Sequence, residues 1–137
     1  MLFRSSDAVV KVDGAAAGYQ VISGLSLTVH PMTNSMVYVS SDGGVRPATQ
    51  ASTARQVDIR LFVDGIAVSP GGYQRIAVGS DAITHWSMSL TLALPVTSGG
   101  HKLEIRAALV SGPPVYVGGD ATQPEIRAQI SALLLNK

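Results

Sequence analysis

The side chains able to do chemistry are few, and none is grouped. The three histidines, His30, His85 and His101, stand far apart, and no two share the i,i+2 or i,i+4 spacing that puts imidazoles on one face. His101 and Glu104 flank Lys102–Leu103 at a spacing similar to part of a metal-binding set. Such a set needs a second histidine ahead of the glutamate, and position 99 is Gly, so His101 reads as a solvent-facing turn residue. Serine is abundant, yet no G-x-S-x-G elbow occurs. Glycosidase chemistry needs two carboxylates across a cleft, and the acidic residues Asp13, Asp42 and Asp64 each stand in an Asp–Gly turn signal. Gly118–Gly119–Asp120 is not followed by the helix start and Lys of a phosphate loop. Basic residues occur singly along alternating runs, which marks solvated faces and not a nucleic-acid patch. Tyr19, Tyr38, Tyr73 and Tyr116 have ring faces that can stack on sugars, while Trp86, heading an alternating run, reads as core. These residues predict no catalytic group, no metal and no cofactor.

The elements that must position them are strands. Trp86, Met88, Leu90, Leu92 and Leu94 alternate with Ser87, Ser89, Thr91 and Ala93, the period of a strand with one buried face. Pro95 ends that run, because it has no N–H for a ladder. After a Gly-bearing loop, Leu103, Ile105, Ala107 and Leu109 alternate with Lys102, Glu104 and Arg106. Two such runs predict an antiparallel hairpin, with Leu90, Leu92, Leu103, Ile105 and Ile130 on one buried face.

Upstream, residues 7–13, Tyr19–Ile22 and Leu25–Val29 read as short strands, and Met36–Val39 as a strand covered on both faces. Ser40–Ala54 is polar and rich in small residues, which predicts a long loop carrying Asp42 and Arg46. Val57–Val63 alternates, Asp64–Gly65 is a hairpin-turn signal, and Tyr73–Val78 is a further strand. Val115–Val117 follows the Gly112–Pro113–Pro114 break. The closing run places Ile126, Ala128, Ile130, Ala132 and Leu134 on one face, a pattern that favours strand over helix. Leu133 and Leu135 make the other face of that strand apolar as well. Regularly spaced strands with Gly/Pro turns and no helical period predict an all-β, antiparallel sandwich of jelly-roll type.

The totals bound the function classes. A chain of 137 residues makes one domain that buries roughly two-thirds of its unfolded surface. Cysteine is absent, so there are no disulfides and no thiolate ligands. A net charge of +1 gives no electrostatic case for nucleic acid or an anionic membrane. No apolar run reaches signal-peptide or membrane-span length. Charged residues are only 14%, against about 25% in a typical domain. A surface so poor in charge suits a protein that covers it with partners or with copies of itself.

Across Gly99–Ala107 (GGHKLEIRA), the closing IRAQISALLLNK and the upstream Leu61–Gly65 (LFVDG), the chain resembles the C1q/TNF-like jelly-roll modules of bacteriophage structural proteins, from about residue 20 to residue 137. That resemblance implies a homotrimer, with Leu133 and Leu135 in or near its interface. It implies two regions, residues 1–18 as an arm with a first short strand and residues 19–137 as the jelly roll. The expected role is a non-enzymatic virion protein on the capsid surface, a decoration or cement protein whose partner is the major capsid protein. The alternative is the receptor- or glycan-binding head of a tail fibre, and a small enzyme on the same frame ranks third. Because the chain starts at Met1 without a repetitive stem, the free-standing role is preferred. Met1, Leu2, Phe3, Arg4, Asp42 and Arg46 are the expected partner contacts, since the sandwich itself would not need the arm or the loop that carry them.

Overall fold

A computed structural model describes residues 1–14 and 18–135. The chain forms β1 (Leu2–Ser5), β2 (Val10–Val12), β3 (Gln20–Val29), β4 (Ser35–Pro47), β5 (Arg55–Val63), β6 (Ile66–Ala67), β7 (Tyr73–Val78), β8 (Thr84–Leu94), β9 (His101–Ser111), β10 (Val115–Val117) and β11 (Gln129–Leu135). All pairings are antiparallel and divide into two sheets. Sheet A runs β1-β11-β4-β10-β2, with β8 on the other edge of β4; sheet B runs β3-β9-β5-β6, with β7 also on β5. The alternating apolar residues of both sheets meet in one core that includes Val37, Val39, Ile59, Leu61, Leu103, Ile105 and Ile130. The protein is therefore an all-β antiparallel sandwich.

Strand β4 is the spine of sheet A. It pairs with β8 from Ser35 to Val45 on one edge, and with β11 and β10 on the other. Its Ser40–Pro47 half was expected to be a loop and is instead regular strand; only residues 48–54 connect it to β5. The small residues there serve close packing, not turning. Trp86 is fully buried with its ring over Gly43, where a Cβ would sit 2.3 Å from Trp86 Cη2 and 2.5 Å from Ala128 Cβ. At Gly44 a Cβ would meet the Ile126 backbone at 2.7 Å. Trp86 Nε1 donates to Ser41 Oγ at 3.1 Å, and that hydroxyl donates to Gln129 O at 2.7 Å, so the one polar atom of the ring is satisfied inside.

The expected hairpin between the Trp86 and Leu103 runs does not form. Strand β8 pairs with β4 in sheet A, whereas β9 lies between β3 and β5 in sheet B. Residues 95–100 cross between the sheets, so the two apolar faces confront each other across the roughly 10 Å of a sandwich core. Either arrangement buries the same residues, which is why alternation alone did not separate them. Of the expected core, Leu103, Ile105 and Ile130 are fully buried, while Leu90 and Leu92 are half-buried because β8 has no second neighbour.

Met36–Val39 also differs from expectation: Val37 and Val39 are buried, but Tyr38 is exposed, so only one face is covered by this chain. The expected strands Tyr19–Ile22 and Leu25–Val29 merge, from Gln20 on, into one strand, β3, interrupted by a register shift between Val21 and Ser26. Residues 1–7 are not dispensable to the sandwich. Strand β1 adds to β11, and buried Ser6 Oγ accepts from Ala128 N at 2.8 Å and donates to Gly119 O at 2.6 Å. The Asp64–Gly65 turn forms as expected, with φ of 53° and 81° at its two central residues, the pattern of a type I′ hairpin turn.

Two substitutions test this packing. Gly43→Ala forces Trp86 to move, and overpacking of this kind costs roughly 1–3 kcal/mol. Ile105→Ala leaves a cavity at a fully buried position and should cost about 2–5 kcal/mol. Urea denaturation followed by Trp86 fluorescence measures both. A Gly43→Ala protein as stable as wild type would mean that Trp86 does not lie over β4.

Candidate functional site

The two outer sheet faces differ in chemistry. On sheet A, register places Met36, Tyr38 and Ser40 of β4 beside Leu135, Leu133 and Ser131 of β11, and beside Ala93, Thr91 and Ser89 of β8. Phe3 of β1 lies opposite Ser131 and joins the same face. None of these ten residues is charged. Phe3 (49%), Tyr38 (42%), Leu133 (41%) and Leu135 (41%) are all exposed. The sequence linked only Leu133 and Leu135; the structure brings Tyr38, Met36 and Phe3 to them, which no local pattern reveals.

The outer face of sheet B is polar and built on ion pairs. Arg75 grips Asp58 with a fork, Nε at 2.8 Å and Nη2 at 3.0 Å, and Tyr73 Oη donates to the same carboxylate at 3.0 Å. Burial and the Asp58 hydrogen bond raise the Tyr73 pKa, and the Asp58 contact raises that of Arg75. On β9, buried Glu104 is held by Arg106 at 2.7 Å and by Lys102 at 3.6 Å. The Arg106 guanidinium lies 4.3 Å over the Phe62 ring, whose other contact is an edge-to-face packing with Tyr19 at 5.2 Å. Arg60 sits over Tyr73 at 5.4 Å and donates to Val68 O at 3.1 Å, with no carboxylate partner among the described residues. Sequence reading took the basic residues as solvated strand positions and Tyr19 and Tyr73 as rings able to stack on sugars, and missed the cluster, because its members come from β5, β7, β9 and the residue before β3.

His101 is a further correction. It is buried, not solvent-facing. Its Nδ1 lies 2.7 Å from Asp64 Oδ2 and its Nε2 lies 2.7 Å from Pro95 O. Both acceptors are satisfied together only when both ring nitrogens carry a proton, so this geometry favours the imidazolium. The Asp64 hydrogen bond, then that to Pro95, raises the His101 pKa; the Lys102 N–H, then His101, lowers that of Asp64. The three residues tie the β5–β6 turn to the crossover between the sheets. His101 and Glu104 fall on opposite faces of β9, three residues apart in a period-2 strand, and so do not converge on one ion. Among the described residues no group of three or more His, Asp or Glu is placed to hold a metal.

The other expected contacts are spread out. Met1, Leu2, Phe3 and Arg4 are exposed at the β1 edge of sheet A. Asp42 is exposed on β4 and accepts from Gln129 Nε2 at 2.5 Å. Arg46 stacks over Tyr116 at 4.7 Å, near the far end of the same strand. Arg55, which sequence reading did not single out, is wholly buried and donates to Gly79 O at 3.1 Å and to Thr49 O, pinning residues 48–54 to the end of β7. No protein-family model matches this sequence, and no curated protein matches it.

The histidine latch sets a pH dependence. His101's contribution is full below its ordinary 6.5 and is lost as pH rises through its raised folded pKa. The Asp64 contribution is full above 3.8 and is lost as pH falls through its lowered folded pKa. Thermal melts from about pH 6 to about pH 9 should therefore show wild type losing stability that His101→Gln does not lose. Parallel profiles for the two proteins would remove His101 as the titrating group.

Proposed function

We propose that the protein is a non-enzymatic, self-associating structural module: a jelly-roll homotrimer that decorates and reinforces a bacteriophage capsid. The observation that carries this reading is the uncharged patch on the outer face of sheet A around Met36–Ser40, where Tyr38, Leu133, Leu135 and Phe3 stand exposed together. Leaving several large apolar side chains on one face costs solvation that a neighbouring subunit restores. The low charge content fits the same reading, because association depletes a surface of charge.

The strand order supports the jelly roll. With β2, β6 and β10 set aside as short additions, the remaining eight strands pair first–eighth–third–sixth in sheet A and second–seventh–fourth–fifth in sheet B. Two Greek keys folded together give that order. A closed threefold assembly lets one patch meet a different patch on its neighbour, and a symmetric site on a shell then receives three identical surfaces. Asp42 and Arg46, farther along β4 than the apolar patch, are left to meet the major capsid protein. Binding to the assembled shell alone would stabilise it by mass action.

Sedimentation equilibrium at micromolar concentration should give three times the chain mass. Leu133→Asp, which places an unpaired charge in the contact, should give monomer with an unchanged circular dichroism spectrum. A monomeric wild type removes the basis of the reading. Particles assembled without the protein should release their genome at lower temperature than complete ones; equal robustness would exclude the cement role.

A further inference from the structure

We propose that the outer face of sheet B carries a binding site for an acidic saccharide, a sugar unit bearing a carboxylate. The site is an open depression of about 430 Å³ lined by Tyr19, Asp58, Arg60, Ser69, Gly71, Tyr73 and Arg75. That size lies within the roughly 300–1,000 Å³ of small-ligand sites. It is on the sheet opposite the self-association face, so assembly through sheet A leaves it open.

The charge arrangement points to an anion. Asp58 is already spent on Arg75 and Tyr73. Glu104 is spent on Arg106 and Lys102. Arg60 is left over, and its cross-strand partner in the β5–β9 register is Arg106. Like charges directly opposite in a sheet are destabilising. Among the described residues Arg60 has one protein acceptor, Val68 O, which takes a hydrogen bond from Nη2. A planar carboxylate suits a guanidinium in that position, since it can accept two parallel N–H bonds.

The surroundings specify more than charge. Two tyrosines line the depression, and Tyr73 is held in place by its bond to Asp58 and by Arg60 over one face of its ring. A fixed aromatic wall beside a charged fork favours a ligand with a C–H face as well as an anionic group. Ser69 lines the same depression. Nucleic acid fits poorly, because Arg75 and Arg106 are already engaged by carboxylates and no basic stripe remains.

The probe is glucuronate, compared with glucose and inorganic phosphate, titrated into the isotope-labelled 137-residue chain and followed by amide shifts. Glucuronate should shift amides around Arg60, Ser69 and Tyr73 in a saturable way, and bind at least about tenfold more tightly than glucose, as a charge-assisted bond implies. Arg60→Gln should lose that margin, while Lys11→Gln, which makes the same charge change at an exposed position on β2, should keep it. Tyr73→Leu provides a second test on the ring, and should weaken glucuronate while leaving any phosphate binding unchanged. Equal binding of glucuronate and glucose, no saturable shift, or phosphate binding as tight as glucuronate would each overturn the proposal. The readout is the same for monomer and trimer, so its failure is separable from failure of the self-association reading.

Discussion

The Trp86 ring packed over Gly43 of β4 is the contact on which the sandwich depends. A side chain of that size lies across the neighbouring strand of its own sheet only where that strand has no side chain, and Gly43, its partner in the β4–β8 register, provides that gap. The same strand must accept the Ile126 backbone at Gly44 and pair on both edges with β8, β11 and β10. Glycine in a strand interior weakens the strand in isolation. Here the loss is offset by burial of the largest side chain in the protein and by the Ser41 hydroxyl that satisfies its N–H. Through Gln129 O, the same hydroxyl connects the ring to β11, and hence to the strand that carries Leu133 and Leu135.

With the core settled in this way, the two outer faces are free to differ. Sheet A presents Ser, Thr and apolar residues with no charge between Met36 and Ser40 or between Ser131 and Leu135. Sheet B presents Asp58, Arg60, Arg75, Lys102, Glu104 and Arg106 on three adjacent strands. A large share of a sparse complement of charge is thus gathered on one side. Ion pairs on such a face add little stability, but they fix the positions of rings and guanidinium groups. The uncharged patch of sheet A has the opposite character: it is cheap to desolvate and lacks groups that would resist a neighbour.

Much of this was legible in the chain, and the failures share a cause. Strands β5, β7 and β9 and the Asp64–Gly65 turn follow from period and turn chemistry, which are local. Which strand pairs with which is not local, so the Trp86 and Leu103 runs looked like a hairpin although they belong to different sheets. Ser40–Pro47 looked like a loop because small polar residues signal turns, whereas here they make room for Trp86 and Ile126. Strand β1 has exposed Leu2, Phe3 and Arg4 in succession and no alternation to detect. His101 gains its burial and charge from Asp64, 37 positions away, and from a crossover that the hairpin reading had excluded. For the same reason the sheet B cluster could not be seen before the strands were placed in order.

The central claim is that sheet A's outer face is covered in the working protein and sheet B's is not. The chain contains a matched pair of reporters: Tyr38 on sheet A is 42% exposed and Tyr73 on sheet B is 43% exposed. Hydroxyl-radical footprinting at micromolar protein, read by mass spectrometry, compares them in one sample. The account predicts that Tyr73 is oxidised readily while Tyr38 is protected, and that the protection disappears on dilution to monomer. Equal oxidation of the two rings at high concentration would contradict it.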